Sequence, residues 1–252
     1  MTKTLVALIA ILFTACCVTS GPAQAADSPL AGKVIVIDPG HQLGNSNPKF
    51  AKYMAQTKFN GTIRKGCNTT GTATNSGLPE ATFTWRVAKE LRSMLESKGA
   101  KVIFTRDSNS YDDWGPCTWD RARAGARAGA DLMISIHADG SSSKGKGFHV
   151  IAPARINGYT DDIYRPSRRL ASDLIAGMKS AGAEPSNYID GGLMVSSIMT
   201  TLNLSDVPSA IVELGNMRNS AEAKKMSSSS GQREYANWLL AGIQNYFARN
   251  ST

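Results

Sequence analysis

Two of the chain's three histidines end apolar runs in the same manner. Val34, Ile35, Val36 and Ile37 lead into Asp38-Pro39-Gly40-His41, and Leu132 to Ile136 lead into His137. A third run, Ala210-Ile211-Val212, ends at Glu213, and Glu80 stands directly after Pro79 at the start of a helical pattern. Imidazole nitrogens and a carboxylate oxygen are the usual donors of a catalytic Zn²⁺, which takes three protein ligands and leaves a fourth position for water. Such water ionises near pH ~7, and a further carboxylate can take its proton and later protonate a leaving amine. Spacing alone leaves open which carboxylate binds and which acts as base. No H-E-x-x-H helix forces two ligands onto one face.

Other polar residues have plainer readings. His149, inside the apolar run FHVIAP, reads as a packed strand histidine rather than a site residue. Asp38 either orients His41 or stabilises the turn. Arg121, Arg123 and Arg127 read as a solvated helix face, with Ala and Gly filling the other side.

The elements that must position these groups follow from periodicity. Residues 33–38 read as a strand buried on both faces, broken by Asp-Pro-Gly because Pro cannot donate to the ladder. Residues 42–79 are rich in Gly, Asn, Thr and Ser. A connection of that length is functional or partly ordered as a hairpin, and it is placed to shape or gate a cleft. Phe83, Val87, Leu91, Met94 and Leu95 recur at helical spacing before Lys98-Gly99 ends the helix. KVIFTR predicts a second strand, residues 119–128 a helix, 132–137 a third strand and KGFHVIAPA a fourth. SRRLASDLIAGMKSAG predicts a helix and SAIVELGN a strand. Asn219 with Glu222 then reads as an N-cap and its N3 partner. Ser227–Ser230 reads as a surface loop, followed by an amphipathic helix carrying Tyr235, Trp238, Leu239, Ile243 and Phe247.

This alternation predicts an α/β fold: one domain built on a twisted, mostly parallel sheet with helices on both faces. The carboxyl ends of parallel strands share an edge where ligands bind. His41, His137 and Glu213 should therefore meet there, and Glu80 joins them if its helix returns antiparallel to the sheet.

The N-terminus reads as a signal peptide. Lys3 precedes the apolar LVALIAILFTA, and GPAQA offers cleavage after Ala25, leaving residues 26–252 as the catalytic domain. The apolar run is short for a membrane span. An alternative takes FTAC as a lipoprotein site with Cys16 acylated, a pattern Phe13 fits poorly. Cleavage would leave Cys67 and Cys117, which in an exported protein predict one disulfide; neither lies in a C-x-x-C metal arrangement. The net charge of +8 favours anionic polymers of a wall or phospholipid head groups. No basic block or aromatic-basic stripe points to nucleic acid. The expectation is a monomer in the periplasm, wall or extracellular space, without stable membrane insertion after cleavage.

VIVIDPGH, the LPEATF glutamate, MISIHADG and AIVELGNMRN resemble, in order and surroundings, the zinc-dependent N-acetylmuramoyl-L-alanine amidases of the amidase-3 type. The resemblance extends over residues 31–248 and is nearest to stand-alone mycobacterial cell-wall amidases lacking a separate wall-binding module. It implies Zn²⁺ held by His41, Glu80 and His137, with Glu213 as the catalytic carboxylate. It also implies a peptidoglycan or muropeptide substrate, cut between N-acetylmuramic acid and L-alanine, and a twisted sheet flanked by helices. Gln42, where many relatives have Gly, and Asn216, where an aromatic is common, depart from the pattern without touching a ligand. Two other readings compete: another zinc hydrolase of the wall (a peptidase or deacetylase), or a non-catalytic wall-binding regulator. The latter predicts loss of a ligand or of Glu213, and all are present.

Overall fold

A computed structural model describes residues 28–249. The proposed signal peptide, its Ala25 site and the Cys16 alternative lie outside the described residues. The chain opens with β1 (Val34–Pro39), a short helix α1 (Ala51–Met54), and a hairpin of β2 (Thr57–Phe59) and β3 (Arg64–Gly66). Helix α2 (Glu80–Glu96) and β4 (Lys101–Phe104) precede two short helices, α3 (Thr118–Ala122) and α4 (Ala124–Ala128). Next come β5 (Leu132–Asp139), β6 (His149–Pro153), α5 (Tyr164–Ser180), β7 (Leu193–Ser196) and α6 (Thr200–Asn203). The chain continues through β8 (Ser209–Asn216), α7 (Ser220–Met226) and α8 (Ser229–Ala248).

Six strands form one sheet in the order β4-β1-β5-β8-β6-β7. The first four are mutually parallel; β6 runs antiparallel to β8, and β7 follows β6. The mostly parallel sheet expected from the alternation is therefore present, with a reversed edge pair that periodicity could not reveal.

The two faces are unlike. Ile35, Ile37, Ile134, Ile136, Val150 and Val212 join Phe83, Leu91, Leu174 and Leu239 in the main core, beneath the long helices α2, α5 and α8. Burial at roughly 25 cal/mol per Å2 of apolar surface makes this face the chief source of stability. The alternate residues point the other way, because successive strand side chains change faces. There Val36 and Met133 cluster with Ala124 and Val207, flanked by the partly buried Ile103, Ala128 and Ala130, and Ile151 and Ile211 cluster with Leu202 beside Met199. Short helices α3, α4 and α6 cover this second face incompletely.

The expected helix 119–128 is broken at Arg123, whose backbone (φ −84°, ψ 0°) separates α3 from α4. The break lets α4 tuck against Val207. A Cβ on Gly125 would lie 2.3 Å from Val207 Cγ2, so any larger residue would force Val207 to move. Ser227–Ser230 is not a loop alone: Ser228 caps α8, its Oγ accepting the Gly231 amide. Asn219 caps α7 as expected, but Glu222 accepts the Asn216 and Gly147 amides instead of reaching back to the cap. The Cys67–Cys117 disulfide is present across a separation of 50 residues.

Candidate functional site

Strand register brings the chemistry together. His137 of β5 pairs with Glu213 of β8, which in turn pairs with His149 of β6. Paired residues share a face, so all three lie in one row on the thinly covered side. His149 is buried, packs edge-on against Tyr188, and has an Nδ1 with no hydrogen-bond partner among the described residues.

His41 reaches the same place through an unfavourable backbone. Its φ of 59° makes it the single non-glycine residue with positive φ among the described residues. That conformation costs an L-residue roughly 1–2 kcal/mol, so its surroundings must hold it. The Gly40 amide donates to the Ile136 carbonyl, while Thr84 Oγ1 and Arg106 Nη2 donate to the Gly40 carbonyl. Arg106 also donates to the carbonyls of Pro39, Ala81 and Ser108 at 3.0, 2.9 and 2.6 Å. This buried cation thereby ties the His41 turn to the first turn of α2, which carries Glu80.

Glu80 is buried at that helix start. Its Oε2 accepts the Thr72 amide at 2.9 Å and its Oε1 the Ala138 amide at 3.1 Å. Oε1 lies 3.1 Å from His41 Nε2 and 2.9 Å from His137 Nδ1. The donor atoms of His41, Glu80 and His137 all fall within 4.8 Å of one another. Nδ1 of His41 lies 2.9 Å from the Thr69 carbonyl, which can only accept. The proton therefore sits on Nδ1, and Nε2 turns its lone pair toward the Glu80 carboxylate. Two acceptors facing one another at that distance suit a shared cation. Two nitrogens and one oxygen are the donor set of catalytic zinc, so the residues fit the metal.

Glycines make the convergence possible. A Cβ on Gly40 would lie 2.5 Å from His137 Cε1, and one on Gly71 (φ 78°) would lie 2.7 Å from Glu80 Oε2.

Glu213 lines the same cleft of about 340 Å3, together with the three clustered residues. Its Oε2 is buried with no hydrogen-bond partner among the described residues. Burial, with Glu80 and Asp139 nearby, pushes its carboxyl well above the usual range. Burial likewise lowers His137, favouring the neutral imidazole that metals bind. Burial opposes ionisation of Glu80, but positive charge on the His41 and His137 rings, in whose place a shared cation would stand, outweighs it and holds the carboxyl below its ordinary value.

Two expectations are corrected. Arg121 is no solvated residue: it is 3 % exposed and paired with Asp38, leaving only Arg123 and Arg127 on the exposed face. Asp38 does not orient His41. It accepts from Arg121, Ser135 and Thr105, because its side chain shares the sheet face of its strand partner Ser135, where Arg121 of α3 meets it. The sequence reading also missed Arg106, whose carbonyl partners leave no spacing signal, and Tyr188, which donates to Asp139 Oδ2 at 3.1 Å.

Residues 35–245 match the family described as N-acetylmuramoyl-L-alanine amidase, Amidase_3. The chain is 35% identical over 243 residues to the N-acetylmuramoyl-L-alanine amidase Rv3717 of Mycobacterium tuberculosis, covering 96% of this chain and 97% of that protein. Two crystal structures of the N-acetylmuramyl-L-alanine amidase Ami1 are similar. That from Mycobacterium smegmatis has a TM-score of 0.79 at 31% identity, covering 87% of this chain and 99% of its own. That from Mycobacterium abscessus has a TM-score of 0.78 at 35% identity, covering 86% and 99%.

Proposed function

Because the chain belongs to the Amidase_3 family of N-acetylmuramoyl-L-alanine amidases, we propose that it is a peptidoglycan hydrolase whose Glu213 moves the proton in a zinc-assisted reaction. The bond cut joins the lactyl carbonyl of N-acetylmuramic acid to the nitrogen of L-alanine. The observation that carries this reading is the meeting of His41, Glu80 and His137 beside the unpartnered Oε2 of Glu213 in one cleft.

Zn²⁺ held by His41 Nε2, Glu80 Oε1 and His137 Nδ1 would supply Lewis acidity to the amide carbonyl and to a water molecule, lowering that water's pKa to about 7. Glu213 Oε2 accepts the proton as the water oxygen attacks the carbonyl carbon. It then gives that proton to the alanine nitrogen as the C–N bond breaks, yielding a free lactyl carboxylate and an intact peptide. The His41 Nδ1–Thr69 contact holds the first imidazole in one tautomer throughout.

The site of action is the cell wall or the space outside the cell. Export through cleavage after Ala25, and action of residues 26–252 as a monomer, complete the proposal. No helix among the described residues is long and apolar enough to cross a membrane.

The test is digestion of a defined muropeptide by wild type, chelated protein and Glu213→Gln, with products weighed by mass spectrometry. Wild type should release lactyl-ended sugar and whole peptide; chelation should abolish this and Zn²⁺ restore it. Glu213→Gln should still bind zinc but turn over at least ~10²-fold more slowly. A Glu213→Gln protein of full rate would remove Glu213 from the mechanism. Cleavage within the peptide, or loss of acetate, would make the chain a peptidase or deacetylase.

A further inference from the structure

The ribbon from Thr57 to Gly66 carries Lys58, Arg64 and Lys65 and no acidic residue. Its strands pair Lys58 with Lys65 and Phe59 with Arg64. Directly opposed residues of an antiparallel pair share a face, so the two lysines stand side by side, and like charges so placed repel. Neither forms an ion pair with any described residue: Lys58 Nζ lies only over the Trp119 ring, 6.0 Å from its centroid. Lys65 lines the cleft that holds His41, Glu80, His137 and Glu213.

The ribbon is fixed at both ends. At its base the Cys67 amide donates to the Gln56 carbonyl, and Cys67 is bonded to Cys117. At its tip Asn60 Nδ2 donates to the Ile198 carbonyl and Thr200 Oγ1, Asn203 Nδ2 donates to the Asn60 carbonyl, and Thr62 Oγ1 donates to the Ser197 carbonyl. Lys65 is thus held against the cleft, with Lys58 beside it on the ribbon. The other permanent cation lining the cleft, Arg121, is committed to Asp38. Its acidic groups, Glu80, Asp139 and Glu213, all come from the sheet edge and the start of α2. The ribbon wall of the cleft therefore carries positive charge that no carboxylate of the described residues compensates.

We propose that Lys65, seconded by Lys58, forms a subsite for a carboxylate of the stem peptide and makes the enzyme prefer acidic stems to amidated ones. The inference rests on the amidase reading given above. An anion drawn to Lys65 on the ribbon wall sets the direction in which the peptide runs from the scissile amide. A carboxamide of the same shape gains nothing from either lysine.

The test uses two synthetic muropeptides that differ only at the residue after L-alanine, which bears a free carboxylate in one and its carboxamide in the other. Wild type should favour the carboxylate about tenfold in kcat/KM, mainly through KM, with the advantage shrinking as salt rises. Lys65→Met should bring the ratio within about twofold of unity, and Lys58→Met should lower it less. Arg64→Met, on the opposite face, should keep the wild-type ratio. Titration calorimetry of the two free stem peptides gives the same comparison without turnover. Equal kcat/KM values and equal affinities in wild type would overturn the subsite while leaving the amidase reading intact. Cleavage of a different bond, with the binding preference retained, would overturn the amidase reading and keep the subsite.

Discussion

Arg121 grips Asp38 through two hydrogen bonds, Nε to Oδ1 at 2.6 Å and Nη2 to Oδ2 at 2.8 Å, with both side chains buried. The pair joins α3 to the end of β1, three residues before His41. Replacing Arg121 with Met strands a carboxylate that no water reaches. Breaking a buried pair from one side costs about 3–5 kcal/mol, and urea unfolding of Arg121→Met should show a loss of that size. Lys should rescue it poorly, since an ammonium cannot match the two-pronged contact.

The same pair fixes an acid limit. Burial raises the Asp38 carboxyl, but the Arg121 charge and the hydrogen bonds from Arg121, Ser135 and Thr105 outweigh it and bring it down from 3.8 to about 2. A carboxyl depressed in the fold contributes stability that is complete above its unfolded value and drains as pH falls through the folded one. Asp38 should therefore contribute about 2 kcal/mol at neutral pH and lose it between pH ~4 and ~2. Unfolding free energy measured across that window should fall less steeply in Asp38→Asn than in wild type.

Gly40 touches the ring of His137 where a methyl has no room, and the same methyl would press on the Ile136 carbonyl at 2.7 Å. Since backbone cannot yield there, Gly40→Ala should displace the imidazole. Zinc affinity, measured by chelator competition, should drop about 10–100-fold, as when supports of a metal ligand are disturbed. The far-ultraviolet dichroism should be unchanged. Unaltered affinity would remove His137 from the ligand set.

Cys67 and Cys117 close a 50-residue separation and share a small cluster with Trp119, Ala122 and Leu204. In the chain-entropy view a loop of that length is worth roughly 4 kcal/mol. The Cys67→Ala, Cys117→Ala double variant should melt roughly 10 °C lower by calorimetry. A shift under about 2 °C would mean that the loop is held by its hydrogen bonds instead.

What could be read from the sequence was whatever local chemistry announces. His41, His137 and Glu213 stood out because β-branched runs end on them, and parallel strands must deliver their ends to one edge. Glu80 stood out because Pro79 marks a helix start. Arg121 did not, for its helix is short and its partner lies 83 residues away, so the Ala-Gly setting suggested a solvent face. Arg106 was silent because most of its partners are backbone carbonyls, which every residue owns. The strand Leu193–Ser196 and the helix Thr200–Asn203 are too short for either period to register. The reversed direction of β6 is a tertiary choice: its buried run would read alike either way.

The unequal cover of the two sheet faces has a consequence for how such a molecule can diverge. The long helices and their apolar contacts carry the load on one side, while the cleft is walled on the other by a pinned ribbon and helices of four or five residues. Away from Arg121 and the Cys67–Cys117 bridge, insertions, deletions or charge changes in those walls would redraw what the cleft admits without disturbing the main core or the row of strand-end residues. Selectivity and the main core are thus encoded in separate parts of the chain, joined at the Arg121–Asp38 pair and the Cys67–Cys117 bridge, where drift in the wall does need compensation.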